Sequence, residues 1–283
     1  MSVSKLLARI VGPPIDMDDC ADDDQKEKYL HDHTYGITSD PLTQFSVVLS
    51  ALIHDLGHSG VPNAQLIKED PKLAKAYQNK SVAEQKSVDL AWNALLSPNY
   101  DKLREAIFGS ISELRRFRQL LVNAVIATDI FDKEQGTLRK NRWNKAFDKT
   151  TPNDGSGAVV NRKATIVIEH LIQASDIAHT MQHVSWLNLA SCAFLLRRSF
   201  PFSYFPTAVS MLTCFSSIRQ WEVYLKWNQR LFEEMLAAYR AGRSDKDPTD
   251  GWYNGELGFF DMYIIPLAKK LKECGVFGVA SDE

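Results

Sequence analysis

His54 and His58 stand four residues apart, with Asp55 beside the first, in the run His54-Asp55-Leu56-Gly57-His58-Ser59-Gly60. On a helix that spacing puts both imidazoles on one face. Imidazole nitrogen and carboxylate oxygen together suit a divalent metal ion. The plainer structural reading of His54-Asp55 is a hydrogen-bonded core pair, but the second His and the Gly-rich exit favour metal binding. HxxxH spacing also occurs in zinc proteases, where the residue after the first His is Glu acting as base. Here it is Asp, one methylene shorter, and no third zinc ligand occurs at the protease distance. An Asp directly after His is better suited to bridging two ions. Asp176 is a further candidate, near the end of an apolar segment carrying Ile168, Leu171 and Ile172, with His170, His179 and His183 around it. Alone, such an Asp reads as a helix cap or surface group.

The elements that must position these groups read as helices. Phe45, Val48, Leu49, Leu52 and Ile53 recur with helical spacing between Leu42 and Ile53, directly before His54. Further helical stretches are predicted at about 64-79, 81-96, 112-131, 161-183, 221-241 and 254-273. A short amphipathic helix precedes Gly12-Pro13-Pro14. Residues 12-42, with the acidic run Asp16 to Asp24, read as a polar connection. Alternating strand-type runs are almost absent, so the fold class is all-α.

Composition sets the outer bounds. The 283 residues carry 33 Lys+Arg against 35 Asp+Glu, a net charge of −2, which excludes a strongly basic nucleic-acid binder. Four cysteines without C-x-x-C spacing suggest neither a disulfide framework nor a zinc knuckle and fit a reducing, cytoplasmic compartment. Residues 184-220 stand apart: 37 residues with no acidic side chain and five of the chain's 14 Phe. Arg197-Arg198, Pro201 and Pro206 interrupt the apolar run, so no membrane span is expected there. An ordinary hydrophobic hairpin is one explanation. The preferred one is a translated intron, because Val184 is coded GTN and Gln220 can be CAG, the two splice borders in frame.

Around His54 the sequence resembles a known family. Ala51-Leu52-Ile53-His54-Asp55-Leu56-Gly57-His58-Ser59-Gly60-Val61-Pro62-Asn63 is similar to the HDxxHxGxxN signature of class I 3′,5′-cyclic nucleotide phosphodiesterases. Leu73-Ala74 with Tyr77, and Ser81-Val82-Ala83-Glu84, resemble the family's LAxxYND and SVLExHH stretches. Ala127-Thr128-Asp129 resembles ATDM, and Ser175-Asp176-Ile177 resembles ADLS. Gly258-Phe259-Phe260 through Ile265-Pro266-Leu267 resembles the final GFIxxIxxPL helix. The match spans about 43-270 without 184-220, and the arrangement resembles phosphodiesterase domains joined to receptor-type cyclases in microbial eukaryotes.

The resemblance implies one compact HD-type catalytic domain over 1-283 with a two-metal pocket that hydrolyses cAMP or cGMP to the 5′-monophosphate in signal transduction. It makes His54, Asp55 and Asp176 ligands of the tighter ion, usually zinc, with Asp55 bridging to a second, usually magnesium. His58 would lie beside the attacking water and phosphate, Glu84 and Thr128 would orient water, and Asn63 would support the loop. Phe259 would clamp the purine, with Glu256 where the family has its purine-binding Gln and His179 where it has the Asn of ADLSN. Lys86 and Ser87 stand in place of the HH pair. Met1 to Leu7 resembles the stretch directly after the family's HNxxHAxDV motif, so an N-terminally truncated chain is expected, with weak or absent activity as it stands. His31 and His33 fit no motif. The expected partner is a cyclic nucleotide, with dimerisation or fusion to a cyclase in a longer, membrane-anchored parent as further options. The competing readings are a non-catalytic nucleotide-binding module of the same fold and another HD-type phosphohydrolase.

Overall fold

The computed structural model describes residues 2-10, 23-147, 157-178 and 209-277. All regular elements among them are helical, apart from one isolated antiparallel bridge between Ile10 and Phe277. They fall into two compact units, one formed by Met1–Asp176 with Ile265–Glu283 and the other by Ile177–Ile264.

In the first unit the order is α1 (Ser2–Leu7), α2 (Asp23–His33), α3 (Pro41–Ile53), α4 (Asn63–Glu69), α5 (Pro71–Ala76), α6 (Val82–Leu95), α7 (Asp101–Ile107), α8 (Ile111–Ile126), α9 (Lys133–Phe147) and α10 (Gly157–Asp176). The second unit contains α11 (Val209–Arg240) and α12 (Trp252–Phe259), then a π-helical turn at Phe260–Ile264. Helix α13 (Ile265–Glu273) belongs again to the first unit.

Local chemistry sets the ends of these helices. Asp40 caps α3 by accepting from the Leu42 amide at 3.1 Å and the Thr43 hydroxyl at 2.6 Å, with Pro41 in the first turn. Burial pushes the Asp40 carboxyl up, but the Thr43 hydroxyl and the Arg116 guanidinium outweigh it and hold it below the usual carboxylate range. At α8, Ser110 accepts from the Glu113 amide while Glu113 takes the Gly109 amide at 2.8 Å, a variant of the capping box. Asp70-Pro71 divides the predicted 64-79 helix into α4 and α5, because Asp70 caps the second with its carboxylate on the Leu73 amide.

Helix α10 is the centre of the first unit. Ile166, Val167, Ile168, Leu171, Ile172 and Ala174 are all buried, so this helix is apolar over most of its circumference. It packs against α1, α3, α8, α9 and α13.

Three sequence expectations need correction. The connection at 12-42 contains helix α2. Helix α9 leaves no apolar periodicity to read because its side chains are mainly polar; Trp143, stacked on Phe147 at 4.3 Å, ties it to the core. On α3 the buried face is Thr43, Ser46, Val47, Ser50 and Ile53, whereas Phe45, Val48 and Leu52 are exposed. The hydroxyls of Ser46 and Ser50 donate to the carbonyls one turn back, at 2.6 and 2.7 Å, so they enter the interior already satisfied. Their small size lets α3 sit close against α8 and α10.

The expectations for 184-220 fall on residues 184-208, outside the described residues, and on 209-220, described only as helical backbone in α11.

Candidate metal centre

His54 sits at the C-terminal end of α3, and Asp55 in the adjoining turn. Asp176, 122 residues later, is the last residue of α10. Packing of α3 on α10 brings the three together: His54 Nε2 lies 3.2 Å from Asp176 Oδ1 and 3.3 Å from Asp55 Oδ2. One ligand atom from each of the three lies within 4.8 Å of the others. Among the described residues this is the one cluster of His, Cys, Asp and Glu with ligand spacing.

The imidazole is oriented from behind. His54 Nδ1 donates to the Ala51 carbonyl at 3.1 Å, which leaves Nε2 as the ligand atom facing the carboxylates. Burial alone would lower the imidazole's proton affinity, but the hydrogen bonds and charges of Asp176 and Asp55 reverse this and raise its pKa to about 10. Without an ion, therefore, a proton sits between nitrogen and carboxylates, in the place a cation would take. The His54 hydrogen bond holds the Asp55 carboxyl below its ordinary range, against a smaller opposing effect of burial.

Imidazole plus two carboxylates is a fitting donor set for a divalent ion. Two donors each about 2.1 Å from one tetrahedral ion lie roughly 3.4 Å apart. The observed separations of 3.2 and 3.3 Å match that spacing. Three protein donors leave coordination positions for water or substrate, as catalytic rather than structural sites do.

The turn carrying Asp55 depends on Gly57 and on α6. Gly57 has φ +71°, a left-handed conformation. Lys86 donates to the Gly57 carbonyl at 3.1 Å and Ser87 to the Leu56 carbonyl at 3.0 Å. These two residues replace the family's histidine pair and serve here as clamps on the turn. A Cβ on Gly57 would lie 2.8 Å from Leu90 Cδ1, the end of a flexible side chain. Gly57→Ala is expected to cost about 1–2 kcal/mol, mainly from the backbone conformation, measured as a lower free energy of urea unfolding. An unchanged value would mean that the turn relaxes freely.

His58 is exposed, and its Nδ1 accepts from the Gly60 amide at 3.1 Å. Neutral His58 therefore carries its proton on Nε2, available as a donor. A positive charge on this ring lowers the proton affinity of both Asp55 and Glu84.

Glu84, in the first turn of α6, belongs to an adjoining polar network. Asn63 donates from Nδ2 to Glu84 Oε2 at 2.9 Å and to Asp129 Oδ2 at 3.2 Å, and accepts the Ala83 amide at 2.8 Å. Ser81 adds a bond to Asp129 Oδ2 at 2.8 Å, and Asp129 Oδ1 accepts the amides of Phe131 and Asp132. Burial raises the Glu84 pKa, with nearby Asp129 adding to it and the Asn63 bond opposing. Asp129 and Ser81 stand in the motifs without roles of their own; only their partners show that they brace Asn63. Thr128 donates to the Val125 carbonyl at 2.7 Å, and Gln173 holds the Ala127 carbonyl at 2.7 Å, fixing the end of α8.

The candidate substrate residues lie in the second unit. Glu256 Oε2 accepts from Tyr224 Oη and Asn228 Nδ2, both at 2.6 Å, and Trp252 donates to Asn228 Oδ1 at 3.1 Å. Burial, and then the Glu256 hydrogen bond and charge, push the Tyr224 hydroxyl pKa upward. Phe259 stacks on Tyr263 with ring centroids 5.4 Å apart. Sequence reasoning does not single out Tyr224 and Asn228 as a polar pair, although their i, i+4 spacing on one helix is a readable signal. His179 lies outside the described residues.

Comparison with known proteins gives the family and the fold. Residues 28–193 match the family described as 3′5′-cyclic nucleotide phosphodiesterase. The chain is 23% identical over 237 residues to the probable 3′,5′-cyclic-AMP phosphodiesterase pde-4 of Caenorhabditis elegans, covering 80% of this chain and 29% of that protein. It is 29% identical over 155 residues to human cGMP-inhibited 3′,5′-cyclic phosphodiesterase 3A, covering 47% of this chain and 13% of that protein. The chain thus spans less than a third of the length of either relative. In fold it is similar to the phosphodiesterase domain of the RhoPDE fusion protein from the choanoflagellate Salpingoeca rosetta. That match has a TM-score of 0.57 at 18% identity, covering 86% of this chain and 68% of the other. Such a family implies divalent metal ions, for which the His54, Asp55 and Asp176 group offers ligands. Among the described residues no helix is long and apolar enough to cross a membrane. With more than half of its length matched in a continuous stretch, the chain belongs to the 3′,5′-cyclic nucleotide phosphodiesterase family.

Proposed function

We propose that this chain hydrolyses a 3′,5′-cyclic nucleotide to the 5′-monophosphate. The observation that carries the reading is the convergence of His54 Nε2 with the carboxylates of Asp55 and Asp176. His54, Asp55 and Asp176 would hold a first ion, of which zinc fits the nitrogen donor. Asp55, the most exposed of the three with two-thirds of its side chain open, has an oxygen free to share with a second, of which magnesium fits an oxygen-rich site. When bound, such a pair supplies Lewis-acid neutralisation of phosphoryl charge and acidifies water near neutral pH. His58, protonated on Nε2, donates a hydrogen bond to a phosphate oxygen. Glu84, its carboxyl fixed by Asn63, accepts from water on the approach side, and Thr128 orients water from the end of α8. Phe259 offers a ring face to the purine.

Glu256 bears on which purine is bound. Its Oε2 is engaged by Tyr224 and Asn228, and no partner is recorded for Oε1 among the described residues. A carboxylate accepts and does not donate. Guanine presents adjacent N–H donors to such a group, while adenine presents one donor beside an acceptor. Glu256 therefore favours cGMP, and Glu256→Gln is expected to shift the cGMP:cAMP ratio of kcat/KM about tenfold or more toward cAMP. An unchanged ratio would remove Glu256 from purine selection.

The direct test incubates the purified chain with zinc and magnesium, follows cAMP and cGMP hydrolysis, and measures bound metal beside Asp55→Ala. Metal content and turnover that are the same in both proteins would overturn the assignment.

A further inference from the structure

A cavity of about 630 Å³ opens between α6 and α8 in the first unit, within the size range of small-ligand sites. It shares no residue with the His54, Asp55 and Asp176 group. Arg115, Arg118, Val122 and Ile126 line it from α8, and Tyr77 and Asp89 from α5's end and α6. The α8 residues stand at i, i+3, i+7 and i+11, so one helix face presents two guanidinium groups and then an apolar strip.

The charges in this cavity do not balance. Arg116, the intervening arginine, pairs with Asp40 across the helix, but no carboxylate partner is recorded for Arg115 or Arg118 among the described residues. Arg118 Cζ lies over the Trp92 ring, 5.4 Å from its centroid, a cation–π contact. The lining carboxylate, Asp89, is engaged through Oδ2 with the Tyr77 hydroxyl at 2.7 Å. No partner is recorded for its Oδ1.

We propose that this cavity is a second ligand site, which binds a nucleoside monophosphate. Arg115 and Arg118 take the phosphate, for which the planar guanidinium fork is the matching donor. Val122 and Ile126 cover a face of the base, and Asp89 Oδ1 accepts from a ribose hydroxyl or an exocyclic amine. Two cations, an apolar strip and the Asp89 acceptor select against inorganic phosphate, which meets only the first, and against an uncharged apolar ligand, which leaves the arginines unpaired. The site is independent of the catalytic reading. Because α6 also clamps the Asp55 turn through Lys86 and Ser87, an occupant here rests on the same helix as that turn.

The test is equilibrium dialysis of AMP and of GMP against the full chain carrying Asp55→Ala and stripped of metal with chelator, so that failure of the metal assignment leaves the result readable. One nucleotide is expected per chain, with Arg115→Ala/Arg118→Ala weakening it at least tenfold and inorganic phosphate competing only at far higher concentration. Both arginines are exposed, and thermal unfolding checks that the variant is folded. Should the double variant not fold, Arg118→Lys, which keeps the charge and loses the fork, is expected to weaken AMP severalfold. No binding, binding indifferent to the arginine variants, or competition by inorganic phosphate on equal terms would each overturn the site.

Discussion

Asp55→Ala is expected to lower cyclic-nucleotide hydrolysis by about 10³-fold, which corresponds to roughly 4 kcal/mol of transition-state stabilisation. Three protein donors converge on one point, and Asp55 is the donor with the greatest open surface, hence the one able to serve two ions. Its loss removes a ligand and a negative charge, and leaves His54 paired with Asp176 alone. Asp176→Ala is expected to match it in bound metal, measured by elemental analysis after dialysis. Asp55→Asn, which keeps the shape and one acceptor oxygen, should retain more metal than alanine. Equal metal content in the wild-type and alanine proteins would remove both carboxylates from the site. The metal measurement stands even where turnover is low. Ion uptake should also release a proton, because His54 holds one in the ion-free chain.

The second large effect concerns stability in acid. His170 is 2% exposed on α10, its ring tilted against Trp143 with ring centroids 4.7 Å apart. Its Nδ1 donates to the Ile166 carbonyl at 2.7 Å, so Nε2 is the acceptor facing Lys270 Nζ at 3.3 Å. Burial, with the positive charges of Lys270, Arg139 and Arg142, lowers its pKa from 6.5 to about 4, against an opposing contribution from the Ile166 bond. The folded chain therefore keeps this imidazole neutral where the unfolded chain already binds a proton. The contribution of His170 to stability is full above pH 6.5 and declines as pH falls toward 4, by about 3 kcal/mol over that window. Asp40, held below the carboxylate range, loses its contribution only at lower pH. Urea unfolding between pH 7 and 4 should show this decline, and His170→Asn, which retains a donor for Ile166, should flatten it. A slope unchanged by the substitution would show that His170 does not carry the acid response.

Next to His170 lies a buried carboxyl group that tertiary contacts make tolerable. Glu169 is 4% exposed, and Arg142 Nη2 bonds both of its oxygens, at 2.9 and 2.7 Å. Burial still raises the Glu169 pKa, outweighing Arg142. The pair joins α9 to α10 beside the Trp143 anchor, and removing Arg142 would leave the Glu169 carboxyl buried without its partner.

Residue types and short spacings by themselves determined the all-α class, the metal chemistry proposed for His54-Asp55 and the membership suggested by the surrounding motifs. Those are local properties: Asp55 adjoins His54 in sequence, and the donor types suit a divalent ion, whereas the expected helical turn from His54 to His58 is replaced by a turn through left-handed Gly57. The tertiary structure alone decided that Asp176 Oδ1 comes within 3.2 Å of His54 Nε2, because 122 residues separate them and only the packing of α3 on α10 closes that distance. It also decided which face of α3 is inside. Apolar periodicity selects Phe45, Val48 and Leu52, whereas the chain buries Ser46 and Ser50, whose hydroxyls are satisfied within the helix and whose size permits close approach. Likewise Glu256 is visible as a substitution in a motif, but its partners Tyr224 and Asn228 lie 32 and 28 residues away. A pattern along the chain records which groups are present; which of them are desolvated, paired and aimed at one another depends on contacts between elements distant in sequence.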